Sequence, residues 1–282
     1  MIKLCSAIST YFPDLIEVEE NILSFIDQVD HLIIWENTPE KESKIDVLAA
    51  KLNNPKIEIR TTGRNEYLAE PFNTCARWAK ENGFTHLLTM DQDSRFKKEH
   101  FEKYVQQINK QNDDKIVMFA PSSNSRNQVS SEISEVDHTF LSGAIFPLHS
   151  FLHFGGFNES LVIDAIDIEF CLKTKGYGMK TVIFADIFLQ HQIGYRKKNS
   201  FGLTIVAYSA QRSYYFIRNT LWIWKQYPTA FDKTTRKNFI KYRIIFRILK
   251  IGFEKNAFKK LSAIIMGIIH YKKNRLGKYD KF

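Results

Sequence analysis

A chain of 282 residues that is 44% hydrophobic and 25% charged can bury a full core, which excludes a disordered polymer and fits one α/β domain with an appendage. Its formal charge of +9 is uneven: from residue 231 to 282 fifteen Lys and Arg face three acids, a net +12, while the rest carries −3. A basic tail on a nearly neutral body calls for an anionic partner, whether membrane phospholipid, a polyprenyl-phosphate acceptor or nucleic acid.

The pattern predicts alternating strands and helices, as in a mostly parallel sheet covered on both faces. Residues 2–9 are a β-rich apolar run closed by the turn at Pro13-Asp14, followed by an amphipathic helix over 15–29 and a strand over 31–35. A helix over 44–52, a strand over 57–61 and a helix over 71–82, broken by Gly83, complete the first set. The buried strand 86–90 then runs straight into Asp91, placing Asp91 and Asp93 at a strand's carboxyl end, where open α/β sheets bind ligands. Further strands are expected over 115–120, 139–147 and 180–184, a helix over 164–175 and a Ser/Asn-rich loop over 122–134.

From 208 to 227 the chain becomes helical and aromatic, and Pro228 marks a joint. Beyond it Ile244, Ile248 and Ile251 alternate with Arg243, Arg247 and Lys250, and Phe258, Leu261, Ile265 and Ile268 form a second apolar stripe. The longest uncharged stretch, 261–271, is well under the roughly 20 residues that a spanning helix needs. These helices suit a bilayer surface or packing on the rest of the chain. The expected division is a catalytic domain over 1–227 and a basic helical extension over 228–282. Cys5, Cys75 and Cys171 are too sparse for a disulfide scaffold, lack zinc spacing, and read as core filling. The first residues lack a signal peptide's apolar stretch and cleavage site, so a cytoplasmic protein is expected.

Three places carry chemistry. In Asp91-Gln92-Asp93-Ser94, carboxylates at i and i+2 on a turn can converge on one hard divalent cation, leaving open positions to diphosphate oxygens, or can hold a ribose. Asp164-Ala165-Ile166-Asp167-Ile168-Glu169 opens a helix with more acids than capping requires, and one carboxylate could act as a general base. His191 follows a strand-like run and matters for metal binding only if the fold brings it near Asp93. There is no GxGxxG after the first strand, no P-loop, no GxSxG elbow and no HExxH, which removes support for classical dinucleotide, NTPase and the corresponding hydrolase sites.

In this order the motifs resemble family 2 glycosyltransferases, and among them the rhamnosyltransferase-like group. The matching pieces are Thr10-Tyr11-Phe12-Pro13, Trp35-Glu36-Asn37-Thr38, Arg64-Asn65 with Ala69 and Asn73, Asp91 to Ser94, Ser142-Gly143, Gly155-Gly156-Phe157-Asn158, the run from Ile163 to Leu172, His191 to Gly194 and Arg212 to Asn219. They cover residues 1 to about 220. The resemblance implies a GT-A fold, Rossmann-like with a mostly parallel central sheet, and an inverting transferase using Mn²⁺ or Mg²⁺. It implies Asp93, His191 and Asp91 as metal ligands, and Asp167 as catalytic base, with Asp164 second. Tyr11, Glu36, Arg64, Asn65, Asp91, Ser142, Gly143, Asp164 and Glu169 would bind substrates, Glu36 as the acid that holds the nucleotide base. Two positions depart from the family: Glu36 where Asp is usual, and Lys173 where Arg is usual.

The expected activity is transfer of a sugar, with rhamnose favoured by the resemblance, from a nucleoside diphosphate donor to a glycan or lipid-linked glycan acceptor in bacterial surface polysaccharide synthesis. The expected location is cytoplasmic and peripheral, at the inner face of the membrane. A non-catalytic membrane-docking subunit with a degenerate transferase fold is the alternative, opposed by the retained Asp93, Asp167 and His191. A nucleic-acid-binding protein rests only on the basic tail and nearby Tyr and Phe, with no recognised RNA or DNA motif, and is not expected.

Overall fold

The computed structural model describes residues 2–122, 133–191, 196–198, 204–206, 209–245, 248 and 256–282. The chain divides into two compact units, Met1–Phe157 with Phe170–Gln192, and Asn158–Glu169 with Ile193–Phe282.

Among the described residues the first unit is built on a nine-stranded sheet. Its strands are β1 (Leu4–Thr10), β2 (His31–Glu36), β3 (Ile57–Thr61), β4 (His86–Asp91), β5 (Ser94–Phe96), β6 (Ile116–Ser122), β7 (Ile133–Val136), β8 (Ala144–Pro147) and β9 (Lys180–His191). They lie in the order β3-β2-β1-β4-β8-β6-β9-β5, with β7 on β9. The run β3-β2-β1-β4 is parallel throughout, β8 is antiparallel to β4 and β6, and β6 and β9 are parallel. The parallel run aligns the carboxyl ends of β1, β2 and β4: Thr10 lies beside Glu36, and Ser9 beside Asp91. Every β1 residue is buried, as expected of a strand covered on both faces.

Helices α1 (Leu15–Leu23), α2 (Ile45–Leu52), α3 (Ala69–Glu81), α4 (Lys98–Asn109) and α5 (Leu148–His153) belong to this unit. Asp14 starts α1 by accepting the Ile16 and Glu17 N–H groups. That helix stops at Leu23, short of the expected residue 29, and a 3₁₀ turn over Ile26–Gln28 follows. The strand expected over 139–147 is formed only from Ala144 onward, because Gly143 turns the chain at φ +76°. The strand expected over 180–184 runs on to His191, past an irregularity in its register with β6. There Asp186 is held by Lys103 at 2.7 Å and Gln107 at 3.1 Å. Most of the loop expected over 122–134 lies outside the described residues, and its last two positions open β7. All three cysteines are buried free thiols, and burial pushes the Cys5 thiol up to about 12.

The unit boundary falls inside α6 (Ile166–Lys175). In the second unit a short hairpin pairs β10 (Arg196–Lys198) with β11 (Thr204–Val206), and α7 (Ala210–Gln226), α8 (Lys233–Phe239) and α9 (Ala257–Lys272) follow. A π-helical run over Ile240–Ile245 continues α8. Helix α9 packs along α7 through Lys260, Ala263, Ile264, Gly267 and His270, its buried face. The stripe read from sequence is therefore displaced: Phe258 is 90% exposed and Ile265 47%. Gly267 decides the face, since a Cβ there would stand 2.9 Å from the Tyr214 carbonyl oxygen. Only glycine permits that approach. Of the other stripe, Ile244 packs into this core and Ile248 is 39% exposed, while Ile251 lies outside the described residues.

Candidate active site

In the first unit the carboxyl ends of β1, β2 and β4 carry one connected set of polar groups. The Asp91-Gln92-Asp93 turn is tied down on three sides. Ser142 Oγ accepts the Asp91 N–H at 3.1 Å and donates to Ser94 Oγ at 2.8 Å. Asn21 Nδ2 donates to the Asp91 carbonyl at 2.8 Å, and Gln92 Oε1 accepts the Tyr11 N–H at 2.7 Å. With its backbone so engaged, the turn holds the Asp91 and Asp93 carboxylates at the sheet edge, both half-buried. Ser142 thus reaches the acidic turn as a brace. Gly143 follows it for a steric reason: a Cβ would meet Pro121, Phe96 and Leu189 at 2.8–3.0 Å.

Next to this turn, Tyr11 and Phe12 are exposed at 47% and 49%, their rings edge to face at 4.7 Å. Thr38 Oγ1 accepts the Phe12 N–H at 2.7 Å, and the Thr38 N–H in turn donates to Glu36 Oε1 at 2.7 Å. Ser43 donates to the other Glu36 oxygen at 3.1 Å, and Glu36 is 2% exposed. Its carboxylate shapes the 36–43 loop from inside. Asn37 bridges Ser9 and the Tyr67 carbonyl through Nδ2, and accepts the Glu66 N–H. Arg64 is exposed and bonds Glu66, while Asn65 Oδ1 accepts the Tyr67 N–H at 2.8 Å in a local turn. His191 pairs across the β5–β9 ladder with Ser94, one residue from Asp93. Its backbone therefore lies beside the acidic turn, while its side chain is outside the described residues.

The second unit holds Asp164, Asp167 and the buried Glu169. The chain before α6 is unusual: Val162, Asp164 and Ala165 take φ of +72°, +57° and +65°, left-handed values that cost about 1 kcal/mol or more each for residues with a Cβ. Asn219 compensates by donating to the carbonyls of Leu161, Ile163 and Asp164 at 2.6–2.9 Å. Asp164 Oδ1 accepts from Arg212 Nε at 3.3 Å, and its buried Oδ2 has no hydrogen-bond partner among the described residues. Burial raises the Asp164 pKa, opposed by Arg212. Asp167 Oδ1 accepts the Ile168 N–H at 2.8 Å, and Tyr227 donates to Glu169 Oε1 at 3.0 Å.

The donor set fits a divalent cation in kind: two carboxylates on one turn, with an imidazole-bearing residue one ladder step away, suit Mn²⁺ or Mg²⁺ completed by ligand oxygens. Among the described residues no group of three His, Cys, Asp or Glu side chains could hold a metal unaided. Sequence reasoning missed Asn21 and Ser43, polar residues whose spacing carries no motif, and gave Thr38 no role inside its quoted motif. Gln92 and Asn219 stood inside quoted motifs without a role.

Comparison with known proteins agrees with this architecture. The sequence model of glycosyl transferase family 2 matches residues 12–157, just over half of the chain. The dTDP-rhamnosyl transferase RfbF of Shigella flexneri is 25% identical over 285 residues, covering 95% of this chain and 94% of that protein. The mannosyltransferase PcManGT from Pyrobaculum calidifontis, solved with GDP-Man and Mn²⁺, superposes with TM-score 0.60 at 11% identity over 97% of this chain and 88% of that one. S. aureus TarS 1-349 with UDP-GlcNAc gives 0.58 at 13%, over 100% and 95%. GalNAc-T7 with UDP, GalNAc and Mn²⁺ gives 0.59 at 12% over 90% of this chain, which spans 58% of that longer one. With a GT-A fold, and with the β2 and β4 ends of the polar edge inside the matched region, this glycosyltransferase belongs to glycosyl transferase family 2.

Proposed function

We propose that this glycosyltransferase is an inverting, divalent-metal-dependent enzyme moving a sugar, rhamnose first among candidates, from a nucleoside diphosphate to a glycan or lipid-linked glycan acceptor of a bacterial surface polysaccharide. The observation that carries the reading is the braced Asp91-Gln92-Asp93 turn at the carboxyl end of β4, within a chain that aligns almost end to end with a dTDP-rhamnosyl transferase.

In this reading Tyr11 offers its exposed ring to the nucleotide base, and Glu36 fixes the base-side loop through Thr38 and Ser43. Arg64 and Asn65 line the donor side. Asp93, with Asp91 and His191, would hold Mn²⁺ or Mg²⁺, which when bound neutralises charge on the departing diphosphate. Asp167 takes the proton of the acceptor hydroxyl as that oxygen attacks the anomeric carbon from the face opposite the diphosphate, so configuration inverts. Glu169, oriented by Tyr227, and Asp164 serve the acceptor side. Alignment of two substrates contributes several kcal/mol of barrier lowering, on the order of the lower end of measured proximity effects.

Functionally the chain reads as a transferase over 1–227 with a docking extension over 228–282, working at the cytoplasmic face of the membrane. No helix among the described residues is long and apolar enough to cross a membrane. Ile240, Tyr242 and Ile245 are each more than 40% exposed and alternate with Lys241 and Arg243, a composition suited to an anionic bilayer surface.

The test is a thermal-shift series with dTDP, UDP and GDP, with and without Mn²⁺, followed by turnover of dTDP-rhamnose. Stabilisation by a nucleoside diphosphate that requires the metal is expected. Failure of all three nucleotides to stabilise the chain would overturn the reading.

A further inference from the structure

The second unit contains a buried arginine that the proposed chemistry does not use. Arg218 is fully buried, and the described structure records no salt bridge for it; it bonds mainly to backbone carbonyls. Nη2 donates to the carbonyls of Ser160 and Leu161, both at 3.2 Å, and Nη1 to the carbonyl of Gly277 at 2.7 Å. The Gly277 N–H returns to the Ser160 carbonyl at 2.7 Å. One planar guanidinium thus fastens two segments far apart in sequence, the entrance to the left-handed 162–165 turn and the last residues of the chain. Its fork of fixed donors suits this better than an ammonium would.

The terminal segment is itself strapped to α7. Gln211 Nε2 donates to the Tyr279 carbonyl and Gln211 Oε1 accepts the Phe282 N–H, and Tyr215 OH accepts the Tyr279 N–H at 2.9 Å. The Tyr279 ring lies 4.9 Å from Tyr214 and 4.7 Å from His270. Nothing in chain order requires the carboxyl terminus to meet residues 160–161, and a left-handed turn built from Val, Asp and Ala does not hold itself.

We propose that Arg218 is a positioning residue, and that with the strap of residues 277–282 it holds the 160–165 turn so that the acids at the start of α6 are set for proton transfer. This rests on the reading of Asp167 as the base. The strap acts through backbone geometry and touches no substrate, so its loss should lower kcat and leave donor binding, a property of the first unit, unchanged. Small misplacements of a reacting group are enough for large losses, on the order of a hundredfold for 1 Å.

The experiment compares the full chain with a version ending at Leu276, with Gln211→Ala, which loosens the strap without touching a residue of the turn, and with Arg218→Lys and Arg218→Met. Melting temperature, kcat, donor KM and amide hydrogen exchange over residues 160–169 are measured for each. Expected are a kcat loss of tenfold or more at Leu276 with unchanged donor KM, a smaller loss in Gln211→Ala, partial rescue by Lys relative to Met at 218, and faster exchange over 160–169. Exchange over 160–169 that is unchanged in both the shortened chain and Gln211→Ala would overturn the strap, whatever the activity. Faster exchange with full kcat would overturn its role in proton transfer. If the full chain transfers no sugar, the functional reading fails, while the exchange data still decide whether the strap holds the turn.

Discussion

The two acidic turns solve the same problem by different means. The Asp91-Gln92-Asp93 turn has no left-handed residue; a parallel strand delivers it to the sheet edge, and Ser142, Asn21 and Tyr11 fix it with ordinary hydrogen bonds. The 162–165 turn has three left-handed residues, none of them glycine, and is held by Asn219 and Arg218 from a helix some fifty residues later. On the proposed roles, a turn that binds diphosphate through an intervening cation tolerates ordinary strand-end geometry, because the cation adapts its coordination. A turn that sets a base against one hydroxyl has a narrower tolerance, and strain held by surrounding structure is a known way to meet it.

The sharpest break of that contrast is at the proposed base, Asp167. Asp167→Asn is expected to lower kcat by about 10²–10⁴-fold, the usual range for a general base, with nucleoside diphosphate affinity unchanged by calorimetry. Loss of nucleotide binding in this variant would move Asp167 to the donor site. Asp93→Ala is expected to do the reverse, abolishing the metal-dependent thermal shift while the nucleotide-free melting temperature stays within a degree or two. A full metal-dependent shift in that variant would remove Asp93 from the site.

A third variant probes the packing behind the first turn. Gly143→Ala adds a methyl 2.8 Å from Pro121 Cγ at a backbone angle of +76°. Backbone and overpacking costs together are about 1–3 kcal/mol or more, which denaturant unfolding will resolve. An unchanged midpoint would mean that β8 can shift to accept the methyl.

The contrast also governs what could be read from sequence. Strands β1 and β4 announce themselves as buried runs, and the acidic turn at the end of β4 follows from them. The second turn carries no comparable signal, since Val162 and Ala165 are residues that avoid left-handed backbone. Helix α4 went unread although Phe101, Tyr104 and Ile108 recur at helical spacing and are buried. In α9 apolar residues occur on several faces, so periodicity alone selected Phe258 and Ile265, whereas the glycine contact with α7 selects the opposite choice. Glu36 stood in a quoted motif, but its burial could not be read there, because Ser43, which holds its other carboxylate oxygen, lies outside that motif.

Asp164 offers a pH test of smaller size. Burial raises its folded pKa, so its contribution to stability is complete below the unfolded carboxylate value of about 3.9 and is lost as pH rises through the folded value. Asp164→Asn removes the titration. The variant should therefore gain stability relative to the parent as pH rises from about 3 to 7, with Arg212 moderating the gain. A difference that does not vary with pH would show that the Arg212 contact cancels the burial effect.

The smallest expected effect is at the surface after Pro228, where the choice of variant matters most. Removing everything beyond Tyr227 would strip α9 from α7, expose Ile217 and Ile264, and free Arg218 from Gly277, so lost membrane binding could not be told from lost structure. Charge reversal is the cleaner cut: Lys233, Lys237 and Lys241 are exposed, and their replacement by Glu leaves the α7–α9 contact alone. Co-sedimentation with vesicles containing anionic lipid should fall for the triple variant, most clearly at low salt, because attraction between exposed charges weakens within a Debye length of about 8 Å at physiological ionic strength. Ile240→Ser with Tyr242→Ser should weaken binding further, and in a manner that added salt does not mimic, since apolar insertion is not screened. Equal binding of the parent and both variants would mean that this face is not the docking surface, and that the basic charge of the second unit serves another anionic partner.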